Sequence, residues 1–460
     1  MKKKYIFVNL INIAFPIAIY LLFQHLGTCI DYFIVGKSKI TPNIRQTISY
    51  MKQTQKFLQS IGIALGSAGI VLVTREYKNK KKELARKFAT LSFIIALFIS
   101  FLFFLFLYFG VFLPYPFCNI FLNKEYHSEG GLHYYFLTLI TFVFITINTI
   151  YMSLERIKGK KKFLLFLNFT IIFARIFFSF LYKFFYGVHN VSIVHLAYAN
   201  LWSHLIITFI SFYSMFWDSK NEFQIKFEKI IFYKEIIYKI IKLSFTIIIG
   251  KTTYDYGKKI ILDMVNSFYG KESVIMIILG YVALVNGIFY SISQSFEEAQ
   301  ILMISQNIAL NKKKETIKIF KNVFFITFII GILGIIINKL MGQRLLEILQ
   351  NGINLTKEEK KAFEIVLFWE QTSLFTSIWS YLIIGFIVAY TKKAKIFFWI
   401  NFLRIIIRIV ILSILYKFRR ILSFSPYNQF GLSTFLSNFI VLQITFFLFF
   451  LFLKKKNLLK

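Results

Sequence analysis

Apolar runs of roughly 20 residues recur along the whole of this chain, and each is long enough to cross a bilayer as a helix. With 57% hydrophobic and 20% aromatic residues in 460, the chain is too apolar for a soluble protein of its size. Twelve such runs fit, from 6–34 at the start to 430–453 at the end. The fold class predicted is an all-α polytopic membrane protein with about 12 transmembrane helices.

The second half of the sequence echoes the first. Asn168-Phe169 with Arg175-Ile176 recurs as Asn401-Phe402 with Arg408-Ile409, and Leu181-Tyr182-Lys183-Phe184 as Leu415-Tyr416-Lys417-Phe418. The stretch Ala68 to Arg75, leading into Lys80 to Lys82, lines up with Ala299 to Gln306 leading into Lys312 to Lys314. This divides the chain into two six-helix lobes related by a pseudo-two-fold repeat: 1–216, a cytoplasmic amphipathic linker over 217–242, and 243–460. Two similar bundles that rock about a shared site suit a secondary transporter.

A formal net charge of +34 would be compatible with a nucleic-acid partner. The lysines and arginines, however, sit mostly in short clusters between apolar runs, and A/T-rich codons would enrich Phe, Ile, Lys, Asn and Tyr together. Nucleic acid is therefore not expected as a partner. The basic clusters place both termini in the cytoplasm of a multi-pass protein of the cell inner (plasma) membrane. In the linker, Phe223, Ile225, Phe227, Ile230, Ile231, Ile236 and Ile237 among lysines suit a helix lying on the membrane surface. Thr356 is placed to cap the helix of the tenth span.

The two cysteines, Cys29 and Cys118, cannot make a disulfide framework. Cys29 follows a basic start and an apolar run, as in a lipoprotein signal. Thr28 is a poor residue before such a cleavage site and the apolar segment continues to Val35, so an uncleaved first span is expected. No Gly-rich phosphate loop is present, the six histidines lack metal-ligand spacing, and no nucleophile is accompanied by a base. An enzyme, a metal site and a cofactor are not expected.

Charges inside the apolar runs are the candidate functional residues, because a charge at mid-bilayer costs about 2.5–3.5 kcal/mol on the insertion scale and so faces a cavity or a partner. Asp31 shares the first span with Pro16, which would bend it; Asp31 is either a coupling carboxylate or a hydrated residue at a helix end. Arg175 and Arg408 hold equivalent places in the two halves, and Arg404 lies one turn from Arg408. Asp31 is the natural partner for Arg175 within the first half. Lys251, Asp255, Lys259 and Asp263 form one alternating stripe on the seventh span, either a self-satisfied seam or a cation site built on Asp255 and Asp263. Glu297 and Glu298 lie late in the eighth span, pointing about 100° apart, and rank above Glu370 as cavity-lining residues.

These residues carry a resemblance. "FPIAIYLLFQHLGTCIDYFIVGK", with Pro16, Asp31 and Gly36, resembles the first span of the multidrug and toxic compound extrusion (MATE) family of the MOP flippase superfamily. "LGSAGIVLVTREYKNKKKELARK" is similar to its second span and basic loop, and "ISQNIALNKKKETIKIFK" to the element after its eighth. "AYANLWS" resembles its sixth span, with Asn200 where Thr is usual. The resemblance implies a cation-coupled multidrug antiporter that exports small organic compounds, cationic or amphipathic, by alternating access. It implies a monomer among membrane lipids, with Asp31 as the coupling residue, Pro16 as its bend and Asp255 near the family's seventh-span acid. Where many members have Asn and Asp in the fifth span, this chain has Arg175 and Ser179, so H+ rather than Na+ is the coupling ion expected. The rival reading is a lipid-linked saccharide or lipid flippase of the same superfamily, whose phosphate Arg175, Arg404 and Arg408 would clasp.

Overall fold

The computed structural model describes residues 2–36, scattered positions over 54–70, then 71–114, 117–118, 122, 130–187, 192–226, 233–269, 274–350, 355–391 and 395–458. Among the described residues there is no strand. The main helices are α1 (Lys2–Gly36), α2 (Lys82–Gly110), α3 (Gly131–Ile157), α4 (Lys161–Tyr186), α5 (Ile193–Phe212), α6 (Lys234–Tyr269), α7 (Val274–Ala309), α8 (Lys313–Gln350), α9 (Lys357–Thr391), α10 (Lys395–Lys417) and α11 (Pro426–Lys455). By length and composition, nine helices among the described residues can cross a membrane. The all-α polytopic class expected from the apolar runs is the class observed.

Two compact units emerge: Met1–Cys29 with Ile249–Lys460, and Ile30–Ile248. In the second of these, α3 packs on α2 and α5, and α5 on α4. Helix α4 shows how composition sets the packing. Phe166, Phe169, Phe173, Phe177, Phe180 and Phe184 recur every three or four residues and are all exposed, whereas Asn168, Ile172, Arg175 and Ser179 on the other side are buried. A helix with aromatic residues outward and polar residues inward is one made for lipid on its outer face.

The stretch following α5 departs from the expected surface helix over 217–242. Helix α5 ends in a π-helical turn, Tyr213–Trp217, and 218–226 is not helical. Phe223 and Ile225, two residues apart, both point inward in an extended segment, and both are buried. Asn221 donates to the Ser214 carbonyl at 2.8 Å, and the Ile225 amide to the Met215 carbonyl at 2.7 Å. The amide of Asn221's neighbour-but-one, Phe223, is in turn held by the Asn221 side-chain oxygen at 3.0 Å. Helix α6 begins only at Lys234.

The other unit is organised around α9, which packs on α7, α8 and α11. Its N-terminus is closed as the sequence predicts: the Glu359 amide donates to Thr356 Oγ1 at 3.2 Å while the Thr356 amide donates to the Glu359 carboxylate at 2.7 Å, a reciprocal cap that satisfies two otherwise orphaned donors. Ser425 caps α11, with Pro426 in its first turn. Val282, Val285, Phe363, Val366, Leu412 and Phe430 belong to one buried cluster joining α7, α9, α10 and α11.

Candidate functional site: polar interiors of the two helical units

Each unit buries polar side chains where a membrane protein can least tolerate them unpaired. In the unit of Ile30–Ile248, Asn148 on α3 is the hub. It donates to the His204 carbonyl at 2.9 Å and accepts from Thr208 and Ser211 at 3.2 Å each. Arg175 and Ser179 on α4, and Asn200 and His204 on α5, are all buried. Arg175, Ser179 and Asn200, candidate cavity-lining residues from the sequence, are thus buried in the same unit as Asn148 and His204. The latter two were visible as polar residues in apolar runs.

At the end of α3 lies a second cluster. Glu155 and Lys158 form a buried ion pair, 1% and 3% exposed. Lys158 also donates to the Asn221 side-chain oxygen at 2.8 Å, and Lys160 approaches Glu155 at 3.4 Å. Burial pushes the Lys158 ammonium below its usual range, and Glu155 beside it works in the opposite direction.

In the unit of Met1–Cys29 with Ile249–Lys460, α10 carries the cations. Arg404 is 1% exposed, and its guanidinium nitrogens have no hydrogen-bond acceptor among the described residues. What surrounds it is aromatic: its Cζ lies 4.8 Å from the Tyr381 ring centre and 5.3 Å from that of Tyr254. The two rings meet edge to face at 6.2 Å. Such contacts contribute about 2 kcal/mol each when desolvated, comparable to the insertion cost of the charge, but ring faces leave the N–H groups without acceptors. One turn on, Arg408 lies 3.9 Å from the Glu370 carboxylate and 4.9 Å from the Phe430 ring centre. Glu370, ranked below Glu297 and Glu298 from the sequence, thus lies within ion-pair distance of an arginine.

An amide network lies in the same unit. Asn338 on α8 donates to Asn286 at 3.1 Å and to Gln371 at 2.7 Å. Glu297 and Glu298 are both half-buried. Glu297 runs toward α9, since a Cβ on Gly385 would lie 3.8 Å from its Cγ, and nearby Gln300 donates to the Leu382 carbonyl at 2.8 Å. On α6, Asp263 is exposed, and Lys258 stands 4.3 Å from the Tyr254 ring centre. The side chains of Asp31, Lys251, Asp255 and Lys259 lie outside the described residues, so the expected Arg175–Asp31 pairing and charged stripe do too. Pro16 lies within α1 and is buried. No group of three metal-ligating side chains occurs among the described residues.

Helices that face lipid with aromatic residues and enclose amides and arginines define a multi-pass membrane protein with a polar interior. Residues 16–181 match the MatE family model, and the whole chain has the fold of the MATE transporters of the MOP superfamily. It superposes on a MOP superfamily transporter from Pyrococcus furiosus Vc1 at TM-score 0.84 and 12% identity, over 98% of this chain and 96% of that one. A MATE in complex with MaD3S superposes at TM-score 0.82 and 12% identity, over 98% and 96%. An outward-facing multidrug resistance MATE family transporter gives TM-score 0.82 at 11% identity, again over 98% and 96%. None of the curated proteins compared matches the chain. At such identities the likeness establishes the fold.

Proposed function

We propose that the protein is a cation-coupled antiporter that exports small organic, amphipathic compounds from the cytoplasm across the inner (plasma) membrane by alternating access. The observation that carries this reading is the MATE fold, matched over 98% of the chain, together with the MatE segment over residues 16–181. The moving bodies are the lobes 1–216 and 243–460, joined through 217–242. Solved relatives with this fold include complexes with MaD3S, MaL6 and MaD5, which supports a small organic ligand here.

Asp31 is the coupling residue in this reading, on the same helix as Pro16. Protonation removes its charge, shifts the first span and favours one facing of the cavity; substrate drives the cycle only through its different affinity for the two states. Buried Arg175 and Ser179 support protons over sodium, because a fixed cation beside a hydroxyl is a poor sodium ligand set. Asp255 and Asp263 are the candidate ion-binding acids of the second lobe in this reading.

The test is uptake of a broad panel of organic compounds into everted membrane vesicles under an imposed proton or sodium gradient. Proton-driven uptake that Asp31→Asn abolishes is the expected result. Uptake that follows sodium alone overturns the choice of ion. No gradient-driven uptake across the panel, with envelope polymer synthesis failing on loss of the protein, would make it a lipid-linked saccharide flippase instead.

A further inference from the structure

The interior cations of the C-terminal part of the chain are not equivalent. Arg408 has an acid at 3.9 Å. Arg404, one turn away and near the middle of α10, has no hydrogen-bond acceptor among the described residues although it is 1% exposed. A guanidinium carries five N–H donors in a planar fork that matches a carboxylate or phosphate in bidentate fashion. The rings of Tyr254 and Tyr381 balance its charge through their faces, yet a π face cannot take up a fork of donors in the plane of the guanidinium. Among the described residues, the donor capacity of Arg404 is therefore committed to no acceptor.

A further feature fits an anionic partner. Lys258 reaches the same Tyr254 ring, 4.3 Å from its centre, which puts a second cation on the wall of the same aromatic cage. The Tyr381 hydroxyl, at the edge of one wall of that cage, donates to the Asn401 side-chain oxygen at 3.3 Å. Asn401 is itself fixed by donating to the Gly250 carbonyl at 2.7 Å.

We propose that Arg404, caged by Tyr254 and Tyr381, is the binding site for the oxyanion, phosphate or carboxylate, of an amphipathic substrate. The proposal rests on the reading of the chain as a transporter and deepens it: the compound carried bears an anionic group, against the expectation of a cationic one. The aromatic walls take the apolar or flat part of the compound next to its charge, and the guanidinium takes the oxyanion through paired, charge-assisted hydrogen bonds.

The experiment uses the purified full chain in nanodiscs of zwitterionic phosphatidylcholine, with binding followed by the shift of the thermal unfolding midpoint. The probes are dodecyl phosphate, dodecyltrimethylammonium and inorganic phosphate. Dodecyl phosphate is expected to stabilise the protein in a saturable way, and dodecyltrimethylammonium is not. Arg404→Gln should weaken dodecyl phosphate at least tenfold, and Arg404→Lys, which keeps the charge but loses the fork, should weaken it by less. Arg344→Gln, a change at an exposed position of α8, should leave it unchanged. Competition by inorganic phosphate identifies a free oxyanion as sufficient; its failure to compete identifies an oxyanion carried on an apolar body. Equal dodecyl phosphate affinity in wild type and Arg404→Gln, or tighter binding of the ammonium, overturns the proposal. If Arg404→Gln does not fold, an unchanged affinity in Arg404→Lys has the same force. Because binding is read without transport, loss of gradient-driven uptake with binding intact overturns the transporter reading and leaves the site standing.

Discussion

Asn401 on α10 donates to the main-chain carbonyl of Gly250 on α6 at 2.7 Å, at a crossing where residue 250 has no room for a side chain. A Cβ there would lie 2.6 Å from the Phe397 Cβ and within 3.0 Å of the main chain of Phe397 and Phe398. Backbone cannot swing aside as a flexible side chain can, so α6 and α10 would have to separate. Gly250→Ala is expected to cost about 1–3 kcal/mol through overpacking. Asn401→Ala, which leaves the crossing intact but removes a buried hydrogen bond, should cost about 1–2 kcal/mol. Thermal unfolding of the purified variants in detergent checks both; a Gly250→Ala protein as stable as wild type would show that the helices are not in close contact there.

The Glu155–Lys158 pair makes a different prediction, because both partners are almost fully buried. Removing one partner of such a pair strands the other, at a cost of roughly 3–5 kcal/mol, whereas replacing both by apolar residues of similar volume is often neutral or stabilising. Glu155→Leu alone should therefore lower the unfolding temperature strongly, and Glu155→Leu with Lys158→Met should recover most of the loss. The Asn221 side chain, which accepts from Lys158 at 2.8 Å, limits the recovery. A double variant no better than the single one would show that Glu155 acts through something other than Lys158.

What the sequence made legible follows from periodicity and from cost. The Phe stripe and buried Arg175 of α4 share one helical repeat, and the Thr356 cap of α9 is a local pattern of two residues. The tyrosines around Arg404 were not legible. With one residue in five aromatic, Tyr254 and Tyr381 have no signal that separates them from packing residues, and only the fold brings them to one side chain. The same holds for Glu370, which is distant in sequence from Arg408 and gains meaning only when α9 and α10 are side by side. The segment 218–226 is not helical for a related reason: Phe223 and Ile225 fit a helical face as part of a longer apolar pattern, but their own spacing of two is that of an extended chain.

Asn338 on α8 joins Asn286 and Gln371 in a fully buried chain of amides. The Asn338 amide nitrogen serves both neighbouring oxygens, so substitution of this central member leaves the amide oxygens of Asn286 and Gln371 without that donor. Asn338→Leu should cost about 1–3 kcal/mol, the penalty for unsatisfied buried groups. Adding Gln371→Leu to it removes one of the stranded groups, and the double variant should be more stable than the sum of the two single changes predicts. A double-mutant cycle on unfolding temperature measures this, and strict additivity would argue against the network.

Arg408 offers a comparison between two kinds of partner. The Glu370 carboxylate is 3.9 Å away with its side chain 26% exposed, a long contact that water weakens. Phe430 is 3% exposed, lies 4.9 Å below the guanidinium and belongs to the central cluster of this unit. Partly exposed ion pairs contribute about 0–1 kcal/mol. Truncating a buried aromatic ring removes packing as well as the cation–π contact, and full truncation of such a residue costs about 3–5 kcal/mol. Phe430→Ala should thus lower the unfolding temperature well beyond Glu370→Gln. The expected coupling between Glu370→Gln and Arg408→Met in a double-mutant cycle is about 1 kcal/mol or less. If Glu370→Gln proves the more damaging change, the carboxylate holds Arg408 far more tightly than a 3.9 Å contact provides, and the two residues act as one buried pair.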